Sequence, residues 1–131
     1  MILFIDDDDF GMKPYRLALE EAGLNLLITA SADEALSALN SESNRISLII
    51  LDVLMPSGSV FTDEETNGGL ITGYRLLEKI RKSYSHIPIL ILSITNPSEM
   101  RSDYATDNVA FLSKQNTLPA ELLAAVRERL P

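Results

Sequence analysis

The chain places chemically capable residues directly after apolar runs. Ile2 to Ile5 is followed by Asp6, Asp7, Asp8 and Asp9; Ile46 to Leu51 by Asp52; Ile87 to Leu92 by Ser93; and Val109 to Leu112 by Ser113 and Lys114. Carboxylates a few ångströms apart cannot all stay ionised unless a cation joins them, because each negative charge raises the pKa of the next. A hard divalent ion with oxygen ligands is implied. Mg2+ suits this best, since it binds through one or two carboxylates, keeps several waters and leaves room for phosphate oxygens. Lys114 supplies a point positive charge and Ser93 a hydroxyl donor, the groups needed to hold the remaining oxygens of a phosphoryl group. An aspartate carboxylate can itself be the nucleophile and become an aspartyl phosphate. Asp52, at the end of a central strand with apolar neighbours before it, is the best candidate for that role. Taken singly, each residue has a plainer reading: the aspartate run as solvated loop and helix-cap charge, Asp52 as a turn former, Ser93 as a turn or cap residue, Lys114 as a surface charge. Their joint placement at four strand ends is what points to chemistry.

For these residues to meet, the apolar runs must lie side by side. Each is four to six residues long and apolar at successive positions, the pattern of parallel strands covered on both faces. A weaker fifth run spans Leu24 to Thr29. Helical spacing lies between them: Leu17, Leu19 and Ala22 before Gly23; Ala35, Leu36 and Leu39 before Asn40 to Asn44; Leu76, Leu77 and Ile80; and Leu118 to Leu130 with Leu122, Leu123 and Val126 on its apolar side. Ser31 or Asp33 serves as one N-cap, Asn96-Pro97 opens a fourth helix, and Pro119 falls in the first turn of the last. Five strand–helix units with right-handed crossovers give a doubly wound α/β fold, a five-stranded parallel sheet with five helices. A barrel would need eight such units. Pro14 falls where the first helix should already be running, so that helix either starts near Lys13 or is kinked. Pro56 to Gly73 has no periodicity; it combines Gly58, Gly68, Gly69 and Gly73 with Asp63, Glu64 and Glu65 and is expected to be a long, mobile loop, functional or disordered.

Composition sets the outer bounds. A chain of 131 residues, 46% hydrophobic and 23% charged, fits one domain over 1–131 with a sizeable core. With no cysteine there is neither a disulfide framework nor a thiolate zinc site, and one histidine removes most imidazole sites. A formal charge of −8 repels phosphate backbones and anionic membranes, so no direct nucleic-acid or membrane contact is expected. No apolar run is long enough to span a bilayer, and the early aspartates exclude a signal peptide. The expectation is a soluble, cytoplasmic protein.

Through ILFIDDDDFG, LIILDVLMP, PILILS and VAFLSK the chain resembles the receiver domains of two-component response regulators, with their CheY-like, flavodoxin-like fold, over essentially its whole length. Paired acids, Asp-x-x-x-Pro, a strand-ending hydroxyl and a strand-ending lysine are specific in combination and weak alone. The resemblance implies that Asp52 accepts a phosphoryl group from a histidine kinase, a histidine phosphotransfer protein or a small phosphodonor. It implies that Asp6 and Asp7 hold Mg2+, with Asp7 and Asp52 as direct ligands, Asp6 acting through water, and Leu54 offering its backbone carbonyl. Ser93 resembles the switch hydroxyl and Lys114 the lysine that pairs with phosphoryl oxygens. Phe111 falls where the family keeps an aromatic whose rotamer follows phosphorylation; it reads equally as an ordinary core or edge aromatic. Asp8 and Asp9 read as capping or surface charges. The downstream partner is a target protein or an output domain not included here. Apart from Mg2+-dependent self-phosphorylation and slow autodephosphorylation, no enzyme activity is implied.

Departures from the family pattern are specific. Gln115 stands where many receivers have a proline with a cis bond, which frees the turn after the last strand. Ile94 follows Ser93 where a small residue is usual and narrows access. After Pro56 the chain adds roughly a dozen residues, about 57–72, a length that costs little closure entropy. That insertion reads as a lid, a partner contact or a disordered acidic surface loop. His86 reads as a helix-end residue. Two other functions stay open: a non-phosphorylated pseudo-receiver acting as a protein-binding module, and a haloacid-dehalogenase-like phosphatase built on Asp6-x-Asp8. The latter lacks the Thr or Val expected two positions after the second acid and leaves Asp52 unexplained.

Overall fold

The computed structural model describes residues 1–94 and 108–131. Five strands, β1 (Ile2–Ile5), β2 (Leu26–Thr29), β3 (Leu48–Leu51), β4 (Ile89–Ser93) and β5 (Val109–Ser113), form one parallel sheet in the order β2-β1-β3-β4-β5. Among the described residues the helices are α1 (Asp9–Glu21), α2 (Ala32–Glu42), a one-turn α3 (Asp63–Thr66), α4 (Thr72–Ser83) and α5 (Pro119–Arg129). The fold is the doubly wound, flavodoxin-like sheet expected from the alternation of strands and helices. The fourth helix expected at Asn96-Pro97 lies outside the described residues.

Successive strand residues feed opposite cores, as the strand period of two requires. Leu3, Ile5, Ile49 and Leu51 join Ala35 and Leu39 of α2 and Leu76, Leu77 and Ile80 of α4. Ile2, Phe4, Leu48 and Ile50 join Met12 and Leu19 of α1 and Leu122 and Val126 of α5. Burying one such side chain is worth about 1.5–3 kcal/mol, and because both faces are covered the strands read as unbroken apolar runs.

Several sequence expectations need correction. The runs at Ile46 and Ile87 overshoot: both side chains are buried, but the strands begin at Leu48 and Ile89. Pro88 brings no N–H to a ladder, although its carbonyl accepts from Ile49 N–H at 2.9 Å. The first helix does not start near Lys13. It starts at Asp9, capped by Asp8 accepting from Gly11 N–H, with Pro14 inside it; the helix then forgoes one hydrogen bond, to the Phe10 carbonyl.

The segment expected as a mobile loop without secondary structure holds α3, and Thr72 and Gly73 already belong to α4. Thr62 and Glu65 form a reciprocal capping box, and Asn67 ends the turn with φ 55° in the left-handed region. One turn is too short to show a helical period. A relay of hydrogen bonds runs from Gly69 N–H to the Thr66 hydroxyl, to Ser57 Oγ, to Asp63. Ser59 bonds Asp33 of α2 through its amide and hydroxyl. Val60, Phe61 and Ile71 pack on the α2/α4 core.

Candidate functional site

In a sheet of this order the strand sequence reverses between β1 and β3, and a crevice opens beyond their carboxyl ends. Register carries the acids there. Ile5 pairs with Leu51, and Asp52 N–H donates to the Ile5 carbonyl at 3.0 Å, so the residues that follow both strands sit side by side. Carboxylate oxygens of Asp6, Asp7 and Asp52 lie within 4.8 Å of one another, Asp6 and Asp52 buried and Asp7 exposed. Lys114, just past β5, puts its ammonium 2.9 Å from Asp6 Oδ2 and 3.5 Å from Asp52 Oδ2. Ser93, buried at the end of β4, hydrogen-bonds the Asp52 carboxylate through its side chain. The structure thus brings together five of the residues singled out by sequence: Asp6, Asp7, Asp52, Ser93 and Lys114.

The remaining two are Phe111 and Leu54. Phe111 is half-buried within β5 and packs against the α2/α4 core. Leu54 lies between Val53 and Met55, whose carbonyls accept from Gly73 N–H at 2.9 Å and from the Thr72 hydroxyl. Ile94 is exposed at the rim, and His86 is exposed in the turn after α4. Asp8 caps α1 and Asp9 pairs with Arg16 at 2.8 Å, the capping and surface roles expected.

The electrostatics are those of acids held together against their charge. Burial pushes Asp52 up to about 6, the charge of Asp6 adds to it, and Lys114, Ser93 and the Val53 amide only partly oppose it. Asp6 is raised as well, again chiefly by burial, against the hydrogen bonds from Lys114 and the Asp8 amide. Burial alone would lower Lys114, but its bond to Asp6 and the charge of Asp52 outweigh that and raise it. Each carboxylate keeps one oxygen on the backbone: Asp6 Oδ1 accepts from Asp8 N–H and Asp52 Oδ1 from Val53 N–H, both at 2.8 Å.

The second oxygens face the crevice. Asp6 Oδ2 is buried, and among the described residues only the Lys114 ammonium approaches it. Hard oxygen donors on two strand ends, short of positive charge, are a fitting set for Mg2+.

Sequence reasoning missed the backbone supports. A Cβ at Gly73 would run into the Asp52 carbonyl oxygen and come within 2.6 Å of Val53 Cα. Only glycine lets the start of α4 lie this close to the exit of β3. The Tyr15 phenol, on α1, reaches the carbonyls of Lys114 and Thr117 at 3.1 and 2.7 Å. Gly73 ends the segment without periodicity and gives no sign of this close approach, and nothing near Tyr15 signals its partner 99 residues away.

Comparison with known proteins agrees with this geometry. The family model for the response regulator receiver domain matches residues 2–127. Among solved structures, the chain is similar to the chemotaxis protein CheY4 of Vibrio cholerae, with 26% identity and TM-score 0.75 over 98% of this chain and 97% of that one. The receiver domain of the hybrid histidine kinase CckA gives 28% and 0.73 over 99% and 98%. A CheY-like receiver domain protein from Methanospirillum hungatei JF-1 shares the fold at 24% and 0.74, over 97% and 90%. No curated protein sequence matches the chain.

Proposed function

The chain belongs to the response regulator receiver domain family, and we propose that it is a phosphoryl-accepting switch in which Asp52 is the acceptor. The observation that carries this reading is the meeting of a buried nucleophilic carboxylate, two further acids and an ammonium at the strand-order reversal. The donor is a phosphohistidine of a histidine kinase or phosphotransfer protein, or a small acyl phosphate. A bond forms from an Asp52 carboxylate oxygen to phosphorus as the bond from phosphorus to the donor's nitrogen or oxygen breaks, and the electron pair leaves with the donor. Val53 N–H holds Asp52 Oδ1, which leaves Oδ2 facing Lys114 as the attacking oxygen. Lys114 offsets the negative charge on the transferred oxygens from a fixed position, so the acceleration is positioning plus electrostatics.

Asp6, Asp7 and Asp52, with the Leu54 backbone carbonyl, would hold Mg2+, which supplies positive charge to the phosphoryl oxygens when bound. On phosphorylation the Ser93 hydroxyl turns from the Asp52 carboxylate to the new phosphoryl oxygens. Phe111 on β5 follows into the space released, altering the surface read by a target protein or output domain. The chain turns over no external substrate beyond its own phosphorylation and slow hydrolysis. Among the described residues no helix is long and apolar enough to cross a membrane, and the proposed site of action is the cytoplasm.

The test is intact mass after incubation with acetyl phosphate and Mg2+. The wild type gains one phosphoryl group and Asp52→Asn gains none. Equal labelling of both would refute Asp52 as acceptor, and no labelling of the wild type would favour a protein-binding pseudo-receiver.

A further inference from the structure

Lysine is a poor group for fixed charge placement: its four-carbon stem is flexible, and holding its end costs side-chain entropy. What places the Lys114 ammonium must therefore start from its backbone. On one side the Lys114 N–H donates to the Ser93 carbonyl at 2.9 Å, which ties it to β4. On the other side the chain enters a turn over residues 114–116 with Gln115 and Asn116 exposed. There the Tyr15 hydroxyl reaches the Thr117 carbonyl at 2.7 Å and the Lys114 carbonyl at 3.1 Å. A phenol has one proton to donate, so the shorter contact carries most of the bond and Lys114 shares it. The Tyr15 ring is half-buried against the α1/α5 core, so the hydroxyl stands on a rigid support with few rotatable bonds.

Resting on the reading of Asp52 and Lys114 given above, we propose that Tyr15 is a positioning residue: its phenol closes the turn after β5 onto α1 and so holds the Lys114 ammonium on Asp6 and Asp52. No contact of Tyr15 with the reacting atoms is involved. Its effect passes through the Lys114 carbonyl to the side chain that meets the phosphoryl oxygens.

Tyr15→Phe tests this, because it keeps the ring in the core and removes only the hydroxyl. Tyr84→Phe is the control: it removes a phenol that donates to the Leu39 carbonyl at 3.3 Å on the opposite face of the sheet. Two readouts are taken on the full chain. Acylation of Lys114 by an amine-reactive ester, followed peptide by peptide, reports whether the ammonium is held. It should rise about tenfold in Tyr15→Phe, as expected for loss of one shared hydrogen bond, and stay at the wild-type rate in Tyr84→Phe. Labelling by acetyl phosphate at saturating Mg2+ should slow about tenfold in Tyr15→Phe and stay at the wild-type rate in Tyr84→Phe.

Unchanged Lys114 acylation in Tyr15→Phe overturns the proposal, whatever the labelling shows. Equal increases in both variants overturn it too, by exposing a general loosening. A wild type that takes no phosphoryl group refutes the acceptor reading of Asp52, while the acylation result still decides the role of Tyr15.

Discussion

Two regions at the carboxyl edge of the sheet treat their acids in opposite ways. In the crevice, burial raises Asp52 and Asp6. At the insertion after β3, Asp33 of α2 is lowered by the Ser59 hydroxyl and the exposed Glu65 by the Thr62 amide. The insertion resolves its polar groups among themselves: a capping box at Thr62 and Glu65, and a relay through Thr66, Ser57 and Asp63. The crevice leaves an acidic excess that the surrounding sheet holds in place. Uncompensated charge on a rigid frame sets the crevice apart from the insertion, whose polar groups are largely satisfied by their neighbours.

The contrast is tested most severely by Asp52→Asn. One heavy atom changes, an oxygen for a nitrogen, yet phosphoryl labelling should vanish, while in metal-free buffer the folded state should gain stability at neutral pH. A variant that loses both labelling and stability would show that Asp52 serves the fold as well as the crevice, and the distinction between the regions would fail.

Gly73→Ala should come next, because it strikes where the two regions touch. The added methyl has no room against the Asp52 carbonyl and Val53 Cα, which are backbone and cannot turn aside. The α4 start must withdraw from the β3 exit, at a cost of about 3 kcal/mol in denaturant titration. Mg2+ affinity by calorimetry should fall with it, because Leu54 lies between the two carbonyls that Gly73 N–H and the Thr72 hydroxyl hold.

The pH dependence of the crevice carries its own sign. Burial holds the Asp52 carboxyl up at about 6 in the fold, against an ordinary value of 3.8. The native state therefore binds its proton more tightly than the unfolded state, so this contribution favours folding below pH 4 and is lost as pH rises toward and through 6. The difference in stability between wild type and Asp52→Asn should widen over that range by about 1–3 kcal/mol. Mg2+ should narrow it again by binding the native wild type. Asp33 and Glu65 run the other way: their lowered pKa favours folding above the unfolded value and is lost as pH falls. Both variants share that trend, and subtraction removes it. A flat difference between pH 4 and 7 would mean the Asp52 carboxylate is not opposed by its surroundings.

The same contrast explains what could be read from sequence. The crevice was legible because polar residues follow four apolar runs that must share one edge of a parallel sheet, although each alone reads as a cap, turn or surface residue, and because β1, β3 and β4 are buried on both faces. The edge strand β2 gave the weakest run, since Ile28 is exposed and only Thr29 of its residues is buried. The insertion was illegible as structure because its order comes from hydrogen bonds between short polar side chains and backbone, which leave no period. Its one readable mark was Thr62-x-x-Glu65, the capping-box spacing. Tyr15 and Gly73 act on backbone groups distant in sequence, and such partners carry no residue signature.

The smallest expected effect separates the regions most cleanly. Thr66 is fully buried in the insertion, where its hydroxyl accepts from Gly69 N–H at 3.1 Å and meets Ser57 Oγ at 2.6 Å. Thr66→Val keeps the shape and removes the oxygen. Gly69 N–H then loses its acceptor inside the fold, which costs about 1–2 kcal/mol by the usual penalty for an orphaned buried donor. The Gly69 carbonyl is tied to Met55 N–H at 3.3 Å, so some of that loosening reaches the exit of β3. It does not change the charge balance among Asp6, Asp52 and Lys114, which are fixed by the ends of β1, β3 and β5. Thermal unfolding should therefore show the loss, while the rate of labelling by acetyl phosphate stays within about twofold of wild type. A labelling rate that falls in step with stability would mean the insertion sets the geometry of the acceptor, and that the two regions act as one.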